Sequence, residues 1–204
     1  MKENKYDDEK FFNQYSQMSR SVDGLKGAGE WHVLQKMLEE ARKRNNSPQI
    51  EYRCMAIEDF DYTPESYDVV ISSLTFHYLE SFPDICAKVK RCLIPGGTFV
   101  FSVEHPVFTA YGSQDWYHDE QGNILHWPVD RYFTEGKREA IFLGEKITKY
   151  HKTLTTYVNG LIQNGFEITG LIEPEPDMAL LDTIPGMRNE LRRPMMLLVS
   201  AVKK

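Results

Sequence analysis

The stretch Tyr67–Leu79 reads YDVVISSLTFHYL, and it decides the fold class of this chain. Residues 68–73 form a short apolar run bounded by polar residues, which is typical of a central strand in a parallel sheet. Further along, Leu93–Ser102 reads LIPGGTFVFS and predicts a glycine turn that leads into a second strand at Thr98–Val103. The intervening residues Pro83–Leu93 predict a helix with its apolar side at Ile85, Val89, Cys92 and Leu93.

The same alternation of strand and helix continues on both sides of this stretch. The sequence therefore predicts an α/β sheet with helices on both faces. The further predicted elements are a helix at Glu30–Arg44, a strand at Ile50–Met55, a helix at Thr153–Asn164 that ends at Gly165, and strands at Phe166–Ile172 and Met195–Val202.

Read in order, four segments resemble class I S-adenosylmethionine-dependent methyltransferases of the type 11, ubiquinone-biosynthesis-like group. Tyr67–Leu79 resembles the family's fourth-strand motif, and Leu93–Ser102 resembles its helix-to-fifth-strand turn. Met37–Arg42 and Ala56–Asp59 resemble the helix after the second strand and the turn after the third. The resemblance implies a Rossmann-like methyltransferase sheet, S-adenosylmethionine as cofactor and a small-molecule acceptor.

The chain departs from the family in its glycines, because none occurs between Gly29 and Gly96. In the family, a first strand, a glycine-rich cofactor loop, a helix and a second strand precede the segment that resembles Met37–Arg42. Gly27-Ala28-Gly29 lacks a third glycine three residues later and indicates an ordinary loop. The resemblance thus implies a fold truncated by loss of the first two strands. We expect S-adenosylmethionine to bind very weakly or not at all, because glycine lets backbone N–H groups approach the cofactor closely.

The truncation carries two structural expectations. Glu30–Arg44 should be one uninterrupted helix, since its apolar residues recur at helical spacing across the join. Ile50–Met55 should move inward and pair in parallel with residues 68–73, because an unpaired strand edge invites association. The rival outcome is pairing of that edge between two molecules, which would give a homodimer.

Candidate cofactor-binding residues follow from the resemblance. Ile57 and Glu58 lie in the turn that the family places nearest the adenine. Ser73, Leu74 and His77 follow the predicted strand 68–73, where strand ends of such a sheet open into a crevice.

The candidate catalytic residues are Glu104 and His105, which follow the next strand. Pro106 holds His105 in an extended conformation, and an imidazole with a near-neutral pKa suits a general base. A structural role for a lone histidine remains the alternative. His151, at the start of a predicted helix, is interpreted as a solvated or capping residue.

The segment 105–144 carries many aromatic residues among glycines and charges, without clear periodicity. Within a single domain 1–204, a connection this long is typical of a lid or substrate-covering insertion. A small subdomain whose aromatic side chains pack on each other is the alternative reading.

Composition narrows the function classes. The net charge is −6 with scattered Lys and Arg, so a nucleic-acid partner is not expected. No apolar run has membrane-spanning length and the polar start is not a secretory signal, which favours the cytoplasm. The three cysteines show no Cys-x-x-Cys spacing and indicate reduced core residues rather than a metal site. Two function classes remain: a small-molecule methyltransferase, or a non-catalytic remnant of that fold that binds a partner.

Overall fold

The computed structural model describes residues 56–142 and 145–204. Within them, four strands form one sheet: β1 (Tyr67–Ser73), β2 (Leu93–Glu104), β7 (Phe166–Ile172) and β8 (Met196–Lys203). Their order in the sheet is β1-β2-β8-β7. β1 and β2 are parallel, and β8 runs antiparallel to both of its neighbours. The predicted strands of this part of the chain are confirmed.

Two helices beside the sheet begin where the sequence supplies a cap. In α1 (Phe82–Cys92) the Ser81 side chain accepts a hydrogen bond from the Asp84 N–H group. In α3 (Leu154–Gln163) the Thr153 side chain accepts one from Thr156 N–H. Such caps satisfy donors that the first helical turn leaves open. Both predicted helices are confirmed, with ends that differ by about one residue.

The turn that starts β2 needs two glycines for different reasons. Gly96 has φ +79°, a left-handed conformation that glycine adopts without strain. At Gly97 a Cβ atom would lie 2.9 Å from the Ile94 carbonyl oxygen and 3.1 Å from that of Asp68. This close approach lets the turn lie against β1, so the two strands enter the sheet side by side.

The core lies between one face of the sheet and the helices α1 and α3. Aromatic rings dominate it, with Phe101 within 5.5 Å (centroid to centroid) of the rings of Phe76, Phe82 and Phe99. Aliphatic residues from α1, β8 and α3 close the cluster: Ile85, Val89, Leu197, Val199 and Leu161. Ile85 and Val89 belong to the apolar stripe that the helical spacing of residues 85–93 predicted.

The segment after β2 folds into a short helix and two hairpins. These elements are α2 (Pro106–Ala110), β3 (Tyr117–His118) paired with β4 (Ile124–His126), and β5 (Gly136–Phe142) paired with β6 (Glu145–His151). The second hairpin continues past residue 144, the end that the sequence predicted for this insertion.

Several expectations fall on residues that the structure does not describe. Both the helix predicted at Glu30–Arg44 and the strand predicted at Ile50–Met55 lie outside the described residues. Among residues 56–142 and 145–204, β1 pairs with β2 alone, and Tyr67 and Ile71 on it are 38% and 36% exposed. None of the helices in these ranges is long and apolar enough to cross a membrane.

Candidate functional site

The turn after β1 is strained. Leu74 has φ +53°, which costs a residue with a side chain about 1–3 kcal/mol. Its N–H group donates to both the carbonyl oxygen and the hydroxyl of Ser102, at 2.9 and 3.2 Å. A 3₁₀ turn, Phe76–Tyr78, follows directly. Backbone strain held by specific hydrogen bonds at a strand end is a common feature of functional sites.

A cleft of about 490 Å³ runs along β1. It contains two of the predicted cofactor-binding residues, Ile57 and Ser73, which lie on different elements. Glu58, Leu74 and His77 are not part of its lining. Its wall is mainly apolar and aromatic, formed by Phe60, Tyr62, Tyr67, Val69, Val70, Ile71, Thr75, Phe76, Val89 and Cys92 together with Ser72.

Ser72 supplies a polar group inside this apolar wall. The residue is 9% exposed, and its hydroxyl oxygen has no hydrogen-bond partner in the part of the chain that the structure describes. A buried hydroxyl without a partner costs about 1–3 kcal/mol. Ser72 is thus an unsatisfied polar group within the wall of the cleft.

Of the 3₁₀ turn Ile57–Asp59, Ile57 belongs to the lining of the cleft, and two side chains hold this turn in place. The Tyr62 hydroxyl donates to the Ile57 carbonyl oxygen at 2.9 Å, and the Lys88 ammonium donates to that of Glu58 at 3.5 Å. Burial, with smaller contributions from Cys92 and Glu58, raises the pKa of Tyr62 to about 12. The phenol thus stays protonated and continues to donate.

His77 lies on the inner side of the next turn and is 2% exposed. Its Nδ1 accepts a hydrogen bond from the Glu104 N–H group at 3.4 Å, and its Nε2 lies 4.0 Å from Glu104 Oε1. Burial lowers the pKa of His77 to about 4, against the attraction of the Glu104 carboxylate. The ring is therefore neutral at pH 7 and belongs with Glu104 rather than with the cleft.

Glu104 at the end of β2 is a paired carboxylate. Lys149 of β6 donates to its Oε1 at 2.5 Å, and the Gln114 side chain donates to its Oε2 at 2.8 Å. Burial alone would raise the pKa of Glu104, but attraction to His77 and Lys149 and these two hydrogen bonds hold it below its usual value. An ionised, fully engaged carboxylate is a weak proton acceptor, and its main effect is to hold Lys149 and Gln114 in place.

Both ring nitrogens of His105 have neighbours. Nδ1 accepts from Val107 N–H at 3.0 Å and so caps α2, while Nε2 lies 2.8 Å from Glu173 Oε1. Burial lowers the pKa of His105, and the Glu173 carboxylate opposes that shift. The capping contact means that His105 positions the start of α2.

The expectation that His151 is solvated or capping is wrong, because the side chain is completely buried. Its Nε2 lies 2.8 Å from the Tyr132 carbonyl oxygen, and its Nδ1 lies 2.7 Å from the Thr109 hydroxyl. The ring can therefore donate from Nε2 and accept at Nδ1, which ties α2 to β6. Burial lowers its pKa, chiefly by desolvation.

The sequence did not single out Lys149, Gln114 or Lys152, although all three reach the carboxyl ends of β1 and β2. Lys152 follows β6, is 3% exposed, and donates to the carbonyl oxygens of Phe76 and Leu79. The available signal was the alternation in residues 145–151, which places Lys149 and His151 on one face of a strand. Among residues 56–142 and 145–204, no three His, Cys, Asp or Glu side chains are placed to hold a metal ion.

Comparison with known proteins identifies the fold. A family model for a methyltransferase domain matches residues 31–101. A crystal structure from Listeria monocytogenes, of a protein assigned as an S-adenosylmethionine-dependent methyltransferase, is 56% identical and superposes with a TM-score of 0.73 over 83% of this chain and 76% of that one. An S-adenosylmethionine-dependent methyltransferase from Mesorhizobium loti is 32% identical, with a TM-score of 0.74 over 88% of this chain and 100% of that one.

An uncharacterized protein from Haemophilus influenzae is 32% identical over 182 residues, which cover 84% of this chain and 70% of that protein. The residues that the family model matches include most of the fourth- and fifth-strand region on which the sequence resemblance rested, and the parallel β1–β2 pair fits it. The chain belongs to the class I S-adenosylmethionine-dependent methyltransferase family, has its Rossmann-like α/β fold, and has S-adenosylmethionine as the cofactor of its family.

Proposed function

We propose that this protein transfers a methyl group from S-adenosylmethionine to a small molecule, and that the cofactor lies weakly bound in the cleft along β1. The observation that carries the proposal is the cleft itself, whose lining includes Ile57, Ser73 and the unpartnered Ser72. Its volume of about 490 Å³ falls within the range typical of small-molecule sites.

The residues present suit an adenosine group. Aromatic and aliphatic side chains such as Phe60, Tyr62 and Ile57 make the lining mainly apolar, and Ser72 and Ser73 are the serines within it. Sites of this kind use a mostly apolar lining with a few polar groups to fix orientation. The cofactor, when bound, supplies a methyl group on a sulfonium.

The chain's own tasks are to bind, orient and exclude water, because an in-line displacement gains most from placing donor and acceptor correctly. Weak binding follows from the sequence between Gly29 and Gly96, which offers no glycine to let the backbone approach the cofactor. Glu58, Leu74 and His77 lie outside the lining of the cleft. They would affect cofactor binding through the turns that border it.

Glu104 and His105 stay as proposed acceptor-side groups, in a changed role. Since Glu104 pairs with Lys149 and His105 caps α2, we propose that they position the insertion rather than accept the reaction's proton. The insertion 105–144, together with β6, would cover the acceptor from the carboxyl ends of β1 and β2. This arrangement agrees with the rule that ligands bind outside those strand ends.

A second candidate is a non-catalytic member of the fold that binds a partner. One observation favours it: several of the insertion's large aromatic side chains pack against other residues of the protein. Phe108 and Trp127 stack at 4.9 Å, and the Arg193 guanidinium lies 4.1 Å from the Trp127 ring. Aromatic groups engaged in this way leave less apolar surface for an acceptor.

We also propose, from the sequence, the kind of partner, the cellular compartment and the oligomeric state. A mildly acidic sequence with scattered Lys and Arg favours a small-molecule partner in the cytoplasm over nucleic acid. A homodimer through the β1 edge is the associated proposal, and light scattering on the purified protein tests it.

Calorimetry with S-adenosylhomocysteine tests the cofactor site. We expect a dissociation constant above about 10 μM, and a further loss of about threefold to tenfold for Ser72→Ala. Ser66→Ala, an exposed serine just before β1, is the matched control and should bind as the wild type does. A low-micromolar wild-type constant would overturn weak binding, and no binding at millimolar ligand would favour the non-catalytic candidate.

A further inference from the structure

Lys152 is a buried cation whose donors are all engaged by backbone. Its ammonium donates to the carbonyl oxygens of Leu79, Phe76 and Tyr150, the latter two at 3.4 and 3.2 Å. An ammonium group has three N–H donors, so this set uses every one of them. Burial lowers the pKa of Lys152 to about 8, and attraction to the carboxylates of Glu135 and Glu80 opposes that shift. The cation therefore dominates at pH 7.

The turn that Lys152 holds is the strained segment 74–79. It begins at Leu74 with φ +53° and ends where Phe76 and Leu79 present their carbonyl oxygens to the ammonium. Cations stabilise such carbonyl-rich ends of helical turns. An unfavourable backbone conformation persists only where the surrounding structure holds it. The contact with the Lys152 ammonium is one of the interactions that hold this turn.

The same turn borders the candidate cofactor cleft. Thr75 and Phe76 are among the cleft's lining residues, directly after Ser73. A shift of the turn would therefore change the shape of the cleft wall.

Lys152 also connects this wall to the β5–β6 hairpin, because it follows β6 directly. Three residues earlier, Lys149 pairs with Glu104 at the end of β2. The hairpin thus contacts the carboxyl ends of both parallel strands through two lysines, one at each strand.

We propose that Lys152 is a positioning residue that braces the 74–79 turn, so that docking of the β5–β6 hairpin sets the affinity of the cofactor cleft. This inference rests on the proposed function for the location of the cofactor. It assigns the hairpin a role on the cofactor side in addition to any role in covering the acceptor.

The test compares Lys152→Met, which keeps the apolar stem and removes the ammonium, with Lys146→Met on the exposed face of the same hairpin. Amide hydrogen exchange reports on the turn, since Leu74, Tyr78 and Leu79 all donate to backbone oxygens. For Lys152→Met at pH 7 we expect exchange at least tenfold faster at these three amides, with α1 and α3 unchanged. S-adenosylhomocysteine should bind threefold to tenfold more weakly.

Equal exchange and equal affinity in the two variants would overturn the inference. If wild type does not bind S-adenosylhomocysteine, the proposed function fails, whereas exchange in the turn still decides whether Lys152 braces it. If Lys152→Met does not fold, Lys152→Gln retains two N–H donors and replaces it. Exchange could also become faster evenly over all the described helices and strands of the Lys152 variant. That result would show a general structural role for Lys152 and would overturn the inference as well.

Discussion

One face of the central sheet and the inner face of the β5–β6 hairpin are both buried, yet they are built from opposite kinds of side chain. Against the sheet, rings such as Phe76, Phe82 and Phe101 pack in contact with each other. On the hairpin, the buried positions include Arg138, Lys149 and His151. Burial in the first region releases apolar surface from water, whereas in the second it requires a partner for every polar atom.

Arg138 shows how the hairpin meets that requirement. Its guanidinium donates to the backbone carbonyl oxygens of Ala110, Lys137, Arg131 and Thr134. Backbone oxygens therefore replace water around the charge, and the same is true of Lys152. The core therefore tolerates exchange of one apolar group for another, whereas the hairpin depends on individual donors and acceptors.

The largest effect should come from the core. Phe101→Ala removes a completely buried ring from the aromatic cluster, and we expect it to lower the free energy of unfolding by about 3–5 kcal/mol. Urea denaturation measures the change. Phe133→Ala, at a residue that is 91% exposed, is the control and should change it by less than about 0.5 kcal/mol. Equal effects of the two substitutions would show that the sheet face is not the stability core.

A smaller effect should come from the pair that joins the hairpin to β2. Lys149→Met leaves the Glu104 carboxylate buried without its ammonium partner, and we expect a loss of about 3 kcal/mol. Adding Glu104→Gln should restore about 2 kcal/mol of this, because the uncompensated charge is then gone.

The exposed ion pair Arg188–Asp182 is the control for the Lys149 and Glu104 substitutions. Arg188→Met should change the free energy of unfolding by less than about 0.5 kcal/mol, since solvent screens exposed charges. If the Lys149 and Glu104 substitutions were simply additive, the hairpin would not be held by this pair, and the distinction between the two regions would fail.

The two regions also differ in how far the sequence predicts them. The apolar spacing of residues 85–93 and the alternation of Phe99, Phe101 and Val103 follow from burial on one face. The strands and helices of the central sheet were therefore predictable. The hairpin was not, because its inner face is polar and gives no apolar alternation.

The candidate site divides in the same way. Ile57 and Ser73, proposed from motif position, both line one cleft, and their role in cofactor binding stays a prediction. Lys149 reaches Glu104 across 45 residues, and Lys152 reaches Phe76 across 76. Contacts between such distant residues depend on the hairpin's path, which local propensity does not determine. His105 illustrates the converse, since its position before Pro106 predicted an extended residue but not that its ring would cap the helix that follows.

The smallest effect concerns the one titratable ring that lies between the two regions. His77 has a folded-state pKa of about 4, below the ordinary value of 6.5. Between these two values the unfolded chain takes up a proton that the folded chain does not, so stability falls as pH decreases through this window. We expect a loss of about 2 kcal/mol between pH 7 and pH 5 from this residue. Glu104 stays ionised over that range because its pKa is lowered.

His77→Asn retains an acceptor for the Glu104 N–H group but does not titrate, so its urea-denaturation profile should be flatter by that amount. Since His105 and His151 also have lowered pKa values, some slope remains in the variant. Parallel pH profiles for the wild type and His77→Asn would show that protonation of the buried His77 ring does not destabilise the fold. The surroundings of His77 would then be more open to water than its burial indicates.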